Sequence, residues 1–427
     1  MSWNGSEFRR ALLVLLGTVL ATLAALQPAG AQDLRGVVGQ DREHVVASGE
    51  NLYRLAVDFG LALEHLAFAN GLGTSSTWVA PGTRLRVPGR RVLPGNPPAE
   101  GLVINLPERG VFLFRQGRFK KFYPLAIGQP GRFATPQGSF TLASRVVNPT
   151  WLPPEWAGLG EIAVPAGPEN PLGDRWMGLS LPGIGLHSTT SPMSIGQAVS
   201  HGCMRMYPAS AQQLFEEVRV GMPVRIEYET AKVGYDSQTG EFCLAAFPDV
   251  YGLADPRWQA ARALEEVGLA GLWSDSDLAR LARPTGLARP ILQADVQVRV
   301  AGSPLEMDLP ALLLGDALWA SSELPRALGL EVSWDGPLRQ VEVRRAGRVL
   351  VLRVGALDAS ASPAPAPPRD EEAGGLEGTA GFEDSWRFEG PARMVGGRAL
   401  LPVRLLLDTF AVPFRWEASQ RVLEIEG

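Results

Sequence analysis

Short β-favouring runs dominate the middle of the chain and constrain its fold more than any other feature. Between Leu102 and Val147 they read LVINL, GVFLF, RFKKFYPLAIG and GSFTLASRVV, separated by Pro, Gly and Arg. Such runs predict strands, so we expect a β-rich domain over residues 101–228. One helix is predicted within it, beginning at Pro208. The apolar face of this helix would consist of Ala211, Leu214, Phe215 and Val218.

The N-terminus has the pattern of an export signal. Arg9 and Arg10 precede an apolar run over residues 11–26, and a small-residue motif ends at Ala31. This pattern predicts a signal peptide over residues 1–31 that is cleaved after Ala31. An uncleaved membrane anchor is the alternative, but the apolar run is short for a spanning helix of about 20 residues. We therefore expect an exported protein of the periplasm or cell wall, with no stable membrane span after cleavage.

Length and charge limit the fold class and the partners. At 427 residues the chain is longer than one ordinary domain, so several domains are expected. The net charge is -5, and no dense run of Lys and Arg could follow a phosphate backbone, so we expect no nucleic-acid partner. The predicted fold class is therefore multidomain and mainly β.

The segment over residues 44–89 is predicted to fold as a small module of strand, helix, helix and strand. Asn51 is a predicted N-cap, after which apolar residues recur at helical spacing. With its SGENLYRLA opening and PGTRLRVP close, the segment resembles the lysin motif (LysM), a βααβ module that binds the N-acetylglucosamine-containing glycan of cell walls. The resemblance implies that the glycan lies along one turn and along the loop over residues 73–79. The residues of the turn are Ser48, Gly49, Glu50 and Asn51.

The chain after residue 228 contains a helical connector and an internal repeat. Residues 255–292 have amphipathic helical patterns, and no chemistry is evident in them. Over residues 295–427, LGLEVSWDGPLRQVEV is answered by FAVPFRWEASQRVLEI, which predicts a duplicated α+β unit. An Ala, Pro, Gly and acid-rich insert over residues 358–381 is predicted to be flexible. The pattern GGRALLPVRLLLDTF followed by FRW resembles the copper amine oxidase N-terminal-like domain.

No metal or other cofactor is expected. All four histidines lie at or before His201 and both cysteines lie at or before Cys243, so the C-terminal repeat lacks the usual soft metal ligands. The resemblance to a copper amine oxidase domain therefore does not imply copper.

Two of the histidines and one of the cysteines are concentrated between His187 and Met206. A cysteine acts as a nucleophile when a neighbouring imidazole takes its proton, and both His187 and His201 are candidates beside Cys203. Gly202, between His201 and Cys203, would let a substrate approach the backbone closely. Three alternatives remain: a zinc site, a pair of core histidines beside an inert cysteine, and a disulfide between Cys203 and Cys243, since disulfides persist in exported proteins.

The same stretch carries a family resemblance. His187, Ser194-Ile195-Gly196 and the run from Ser200 to Met206 (SHGCMRM), with upstream NPLG, TPQG and NP motifs, are similar to the catalytic domain of bacterial L,D-transpeptidases. The resemblance implies that Cys203 is the nucleophile, that His187 is the general base and that His201 assists. Ser188, which stands where many members have Gly, could orient His187 as the third member of a triad. Backbone N–H groups of Gly202 and Cys203 are candidate oxyanion donors.

Two further residues are predicted to touch the substrate. One is Ser200. The other is Arg205, which would hold either a carboxylate of the substrate or a structural carbonyl of the protein.

The resemblance also implies a reaction on peptidoglycan stem peptides. Cys203 would attack the third residue of a tetrapeptide stem, release D-alanine and form a thioester, which an amine of a neighbouring stem resolves to a 3-3 cross-link. Hydrolysis of the same thioester would instead make an L,D-carboxypeptidase. A wall-binding scaffold without catalysis is the alternative from another class. Carbapenems are expected to acylate the cysteine as substrate mimics.

Overall fold

The computed structural model describes residues 34–154, 162–294, 296–314, 317–354, 359–361, 392–395 and 398–426. Two compact units contain these residues, one over Leu34–Asp295 and the other over Val296–Gly427. The predicted signal peptide, residues 1–31, lies outside the described residues. Within the described residues, no helix combines the length and the apolar character needed to cross a membrane. The multidomain, mainly β architecture is confirmed.

The first part of the larger unit has the predicted order of strand, helix, helix and strand. Its elements are β1 (Val37–Val38), β2 (Arg42–Val45), α1 (Leu52–Asp58), α2 (Leu63–Ala69), β3 (Arg84–Val87) and β4 (Arg91–Val92). Strand β2 pairs with β3 in antiparallel fashion, and β1 with β4. Asn51 caps α1 as predicted, since its side chain accepts a hydrogen bond from the Arg54 N–H at 2.9 Å. Leu52, Leu55 and Leu66 form the centre of a small core.

A curved sheet of eight strands follows. The strands of this region are β5 (Glu100–Asn105), β6 (Gly110–Arg115), β7 (Arg118–Pro124), β8 (Ile127–Gly128), β9 (Gly138–Val147), β10 (Arg175–Leu179), β11 (Gly185–His187), β12 (Ala198–Ser200), β13 (Met204–Arg205) and β14 (Pro223–Glu227). The large sheet has the order β13-β11-β10-β9-β14-β5-β6-β7, and β8 pairs with β12 in a separate parallel pair. Helix α3 (Pro208–Glu217) begins at Pro208 as predicted and buries Ala211, Leu214 and Phe215.

The chain after the eight-stranded sheet forms a further sheet that the sequence did not predict. Strands β15 (Ala231–Asp236), β16 (Glu241–Ala246) and β17 (Ala288–Gln293) form an antiparallel sheet, with α4 (Pro256–Glu266) and α5 (Asp275–Leu281) between the last two strands. The predicted helical connector is therefore wrong over its last residues, which form β17. Pro290 cannot donate an intrahelical hydrogen bond, and it is accommodated in β17 opposite Cys243.

A buried ion pair joins this sheet to the eight-stranded sheet. The Lys232 ammonium lies 2.6 Å from the Glu108 carboxylate, and neither side chain is more than 2% exposed. The ammonium also donates to the Val92 carbonyl at 2.7 Å and lies 4.7 Å from the centre of the Phe112 ring. Because both charges are removed from water, the Lys232 ammonium depends on Glu108 for compensation, and the Glu108 carboxylate on Lys232 and on Arg91 at 3.7 Å.

Lys232→Met should lower the free energy of unfolding by about 3 kcal/mol, because it leaves the buried Glu108 carboxylate with only the more distant Arg91 guanidinium, at 3.7 Å, as a cationic partner. Urea denaturation followed by tryptophan fluorescence measures the change. The matched control is Arg84→Met, which breaks the pair with Glu43 on the surface, where both side chains are more than three-quarters exposed. That change should cost less than about 1 kcal/mol. Equal losses in the two variants would contradict the prediction.

The smaller unit repeats one motif of strand, helix and hairpin. Its elements are β18 (Gln297–Val300), β19 (Ser303–Pro304), β20 (Leu312–Leu314), β21 (Ala317–Ser321), α6 (Glu323–Ala327), β22 (Glu331–Asp335), β23 (Gln340–Arg345), β24 (Arg348–Arg353), β25 (Ala359–Ala361), β26 (Arg393–Val395), β27 (Arg398–Pro402), α7 (Val403–Thr409), β28 (Phe414–Glu417) and β29 (Val422–Ile425). Trp334 pairs with Val341 in the first hairpin, and Trp416 pairs with Leu423 in the second. The two echoed segments therefore adopt the same local structure, as the internal repeat predicts.

Part of the predicted flexible insert is a strand. Residues 359–361 form β25, which pairs with β24. Residues 362–381 of the insert lie outside the described residues. Across the part of the chain that the structure describes, no group of three or more His, Cys, Asp or Glu side chains is arranged to hold a metal ion.

Candidate active site

Two adjacent parallel strands bring the predicted nucleophile and base together. Strands β11 and β13 pair so that Leu186 lies beside Met204 and His187 beside Arg205. Leu186 and Met204 are fully buried in the main core. Because side chains alternate along a strand, His187, Cys203 and Arg205 share the opposite face. Cys203 directly precedes β13. It lies two residues before Arg205, the residue that pairs with His187.

The Cys203 thiol is a half-buried, unbridged group. Its sulfur donates a hydrogen bond to the Gly183 carbonyl at 3.2 Å. Burial raises the pKa of the Cys203 thiol, although the Gly185 N–H and the charge of Arg205 act in the opposite direction. At neutral pH the group is therefore a thiol that must be deprotonated. Cys243 is also free and is fully buried in β16, so the alternative of a disulfide between them is wrong.

His187 is a buried imidazole with a defined tautomer. Its Nδ1 lies 2.5 Å from the Ser188 carbonyl oxygen, which can only accept, so Nδ1 carries the proton. In this tautomer the lone pair of the ring is on Nε2. Burial lowers the pKa of His187 to about 4, and the charge of Arg205 acts in the same direction, whereas the main-chain hydrogen bonds to Ser188 and Leu172 oppose it. The imidazole is therefore neutral at physiological pH and able to accept a proton.

Ser188 orients His187 through its main chain. The predicted triad assigned this role to the Ser188 side chain, whereas the observed hydrogen bond is donated by Nδ1 and accepted by the main-chain carbonyl. A main-chain contact does not depend on the side chain, which is consistent with Gly or Ser at this position. Gly173 lies against the same residue, where a Cβ would come within 2.7 Å of the Ser188 Cβ. Its positive φ of 64° and this close approach both favour glycine.

The turn from Ser200 to Cys203 is closed by its own hydrogen bonds. The Ser200 hydroxyl donates to the Cys203 carbonyl and accepts from the Gly202 N–H at 3.3 Å. Gly202 has a φ of 110°, a conformation that favours glycine. Within the described part of the chain, the Cys203 N–H has no hydrogen-bond acceptor. Of the two predicted oxyanion donors, Cys203 is therefore the one whose N–H is not already engaged.

The remaining predicted site residues surround this turn. His201 is exposed, and its ring meets the Phe133 ring edge to face at a centroid distance of 4.4 Å. Burial and the charges of Arg205 and Arg132 lower the pKa of His201. Arg205 donates to the Ser194 hydroxyl at 3.4 Å, which is neither of its two predicted partners. Ser200 is buried and bonded within the turn, so its substrate contact stays a prediction.

The predicted glycan turn is a separate feature of the first module. Glu50 accepts hydrogen bonds from the Ala47 N–H at 2.8 Å and contacts the His44 ring at 2.7 Å. Asn51 is engaged as the N-cap of α1, while Ser48 and Gly49 are exposed. The side chains of Glu50 and Asn51 therefore brace the turn, and the exposed surface comes from the other two residues.

Sequence reasoning missed an aromatic side chain beside this turn. Trp78 is 72% exposed, in the loop that was predicted as the second half of the glycan site. The Leu52 N–H donates to the Thr77 carbonyl at 2.8 Å, which holds the loop against the start of α1. The signal in the sequence was a lone tryptophan within the polar run GTSSTW.

The βααβ module packs directly on the β-rich domain. Tyr53 and Val57 of α1 contact a small apolar cluster of Ala126, Ile195 and Tyr207. The Tyr207 hydroxyl donates to the Leu61 carbonyl at 3.3 Å. An ion pair at 3.0 Å joins Glu64 of α2 to Arg109. Ile195 and Tyr207 flank the segment that contains Cys203, so the module is held in a fixed position relative to that segment.

A β-rich domain holds a histidine on β11 and a cysteine directly before the adjacent strand β13, and it packs against a βααβ module. The L,D-transpeptidase catalytic domain model matches residues 99–226, the LysM domain model matches residues 44–88, and the copper amine oxidase N-terminal domain model matches residues 299–425. The chain belongs to the L,D-transpeptidase family, and the predicted family resemblances are confirmed.

Individual relatives agree with the family. A probable L,D-transpeptidase of Escherichia coli K12, YcfS, is 32% identical over 221 residues, which cover 49% of this chain and 67% of that relative. A putative L,D-transpeptidase of Bacillus licheniformis, YkuD, is 32% identical over 181 residues, which cover 42% of this chain and 96% of that relative.

Solved structures are similar to part of the chain. The catalytic domain of an Enterococcus faecium L,D-transpeptidase aligns with a TM-score of 0.26 at 21% identity, covering 31% of this chain and 100% of that domain. A crystal structure of an Enterococcus faecium L,D-transpeptidase mutant aligns with a TM-score of 0.25 at 19% identity, and the match covers 30% of this chain and 49% of that one.

Proposed function

We propose that this chain is an exported peptidoglycan L,D-transpeptidase that forms 3-3 cross-links through a thioester on Cys203. The observation that carries the proposal is the neutral, buried His187 on the strand beside Cys203, with its Nδ1 proton held by the Ser188 carbonyl. A base with this tautomer can take the thiol proton at Nε2. The signal-like N-terminus and the LysM domain support action outside the cell, in the periplasm or the cell wall.

Acylation follows from the arrangement of these groups. The thiol proton leaves its hydrogen bond to Gly183 and passes to Nε2 of His187, and the sulfur attacks the carbonyl carbon of the third stem residue. The Cys203 N–H donates to the oxyanion that forms. The bond to D-alanine then breaks, and His187 returns the proton to the departing amine. The product is a thioester on Cys203.

Transfer reverses the proton movement. An amine of a second stem attacks the thioester carbonyl, His187 removes a proton from that amine, and the sulfur leaves as the thiol. His201 and Arg205 lie beside the nucleophile and would contact the stem peptide, Arg205 through a carboxylate. Water in place of the amine would give a tripeptide product and an L,D-carboxypeptidase.

Mass spectrometry of intact protein tests this function. Incubation with a disaccharide tetrapeptide and an acceptor stem should give a transient adduct on Cys203 and a 3-3 cross-linked dimer. Incubation with meropenem should give a stable adduct on the same residue. Formation of the tripeptide alone would replace transfer with hydrolysis, and an unmodified Cys203 under both conditions would favour the non-catalytic scaffold.

The LysM domain is proposed to hold the enzyme on wall glycan. Ser48 and Gly49 present an exposed turn, and the Trp78 ring lies on the neighbouring loop. An exposed aromatic ring beside polar main chain suits the face of a sugar. Glu50 and Asn51 would act by maintaining the turn.

Trp78→Ala should weaken co-sedimentation with purified peptidoglycan sacculi roughly 2- to 10-fold, the range expected for the loss of one aromatic contact. The matched control is Trp258→Ala on α4, since Trp258 is 60% exposed outside the module. Meropenem acylation should be unchanged in both variants. Equal binding by the wild type and the Trp78 variant would contradict the glycan site. A point variant is preferred to deletion of the module because deletion would expose its apolar contact with Tyr207.

A further inference from the structure

A chain of hydrogen bonds reaches the nucleophile turn from outside the region that matches the catalytic family. It begins at Tyr251, in the segment between β16 and α4, whereas the matched region ends at residue 226. The Tyr251 hydroxyl accepts from the Thr135 N–H at 3.1 Å and donates to the Gly128 carbonyl at 2.8 Å. One phenol therefore fastens both ends of the loop over residues 128–135.

The next hydrogen bonds carry this constraint to Gly202. The Thr135 hydroxyl accepts from the Gly128 N–H at 2.9 Å and donates to the Gly202 carbonyl at 2.9 Å. The direction is defined because a hydroxyl has one proton and the Gly202 carbonyl can only accept. Thr135 is buried, and both hydrogen bonds of its hydroxyl are made directly to the main chain.

The Gly202 carbonyl controls the direction of the Cys203 N–H. Both belong to one planar peptide, in which the C=O and the following N–H point in opposite directions. Holding the carbonyl on Thr135 therefore turns the Cys203 N–H to the other side, where it has no acceptor within the described residues. This is the group that meets the oxyanion in the proposed mechanism.

We propose that Tyr251 is a positioning residue for the oxyanion donor, acting through the Thr135 hydroxyl on the Gly202–Cys203 peptide. The inference rests on the proposed function, because an oxyanion forms only if Cys203 attacks a carbonyl. The Tyr251 hydroxyl bonds to Thr135 and Gly128 and not to Cys203, so we assign its effect to the geometry of the Gly202–Cys203 peptide.

Tyr251 is itself held by groups that a phenylalanine would keep. Its N–H donates to the Tyr228 hydroxyl at 2.7 Å, and that hydroxyl donates to Asp249 at 2.5 Å. The Tyr228 and Tyr251 rings stack at a centroid distance of 5.6 Å. Tyr251→Phe removes only the two hydrogen bonds of the phenol and leaves these contacts in place.

The experiment compares two reactions of the same sulfur in the full-length protein. Thioester formation from the tetrapeptide needs the oxyanion donor, whereas alkylation by iodoacetamide displaces iodide and forms no oxyanion. Tyr251→Phe should lower kcat for the tetrapeptide about tenfold, less than the loss of a whole oxyanion donor, with KM changed less than about twofold. The rate of alkylation and its pH profile should stay at the wild-type values.

Two comparisons separate positioning from general damage. Tyr235→Phe is the matched control, since Tyr235 lies in β15 and packs on Phe242, and its kcat should be unchanged. Thr135→Val should lower kcat by at least as much as Tyr251→Phe, Thr135→Ser should restore it, and the double variant Thr135→Val with Tyr251→Phe should be no slower than Thr135→Val alone.

The outcomes distinguish this inference from the function on which it rests. An unchanged kcat in Tyr251→Phe, a parallel loss of alkylation, or additive losses in the double variant would each overturn the role of Tyr251 while leaving the transpeptidase in place. A wild-type protein that forms no thioester would overturn the proposed function and, with it, this inference.

Discussion

Cys203→Ala should abolish cross-linking of stem peptides, with a loss of at least about 10³-fold, because no other group can form the thioester. The loss follows from the position of Cys203 directly before β13, which pairs with the strand of the neutral His187, and from the disengaged Cys203 N–H. The measurement is chromatographic quantification of the 3-3 cross-linked dimer, together with the intact mass after incubation with meropenem. No adduct should form on the variant.

Cys243→Ser provides the control for this prediction. Cys243 is fully buried in β16, and burial raises the pKa of its thiol to about 11, so it should neither react nor replace Cys203. The serine variant should therefore keep wild-type cross-linking. Residual cross-linking by Cys203→Ala, or an adduct on Cys243, would contradict the assignment of the nucleophile.

Local patterns in the sequence predicted much of the fold. The N-cap at Asn51, the helix beginning at Pro208 and the hairpins around Trp334 and Trp416 depend on neighbours within a few residues, so spacing was sufficient to find them. The strand β17 was missed because its pairing with β16 is formed across two intervening helices. The residues of β17 alone do not indicate that it pairs with β16.

The candidate site was predicted in its residue types but not in its contacts. Cys203, the two histidines, and the glycine between His201 and Cys203 are close enough in the chain to be recognised as one constellation. The Ser188 carbonyl could not be foreseen, because a main-chain contact leaves no side-chain signal. Tyr251 was missed for another reason, since its partners Gly128 and Thr135 lie more than a hundred residues earlier in the chain.

The packing of the LysM domain changes how glycan binding should act on catalysis. A module joined by a loose linker would only raise the local concentration of substrate. Here Tyr207 contacts the module through its ring and its hydroxyl, and the Glu64 to Arg109 ion pair adds a second point of attachment. A glycan bound near Trp78 would therefore have a defined direction relative to the β-rich domain, which suits an enzyme that acts on stems along one strand.

His187→Gln should lower the rate of meropenem acylation by roughly 10²- to 10⁴-fold, the range for loss of a general base. The pH dependence makes the prediction specific to this base. Burial lowers the pKa of His187 to about 4, so the wild-type rate should fall only as the pH approaches about 4, where the imidazole becomes protonated. An ordinary histidine would produce that fall near pH 6.5.

The variant should respond to pH in the opposite way. Without His187, acylation depends on thiolate formed by solvent, and burial raises the pKa of Cys203, so the residual rate should increase about tenfold per pH unit through the neutral range. Absorbance of the carbapenem, recorded from acid to alkaline pH, gives both profiles. His44→Gln, in the LysM domain, should keep the wild-type profile. An acid limb near pH 6.5 in the wild type, or a flat residual rate in His187→Gln, would show that the thiolate is already formed and that His187 has another role.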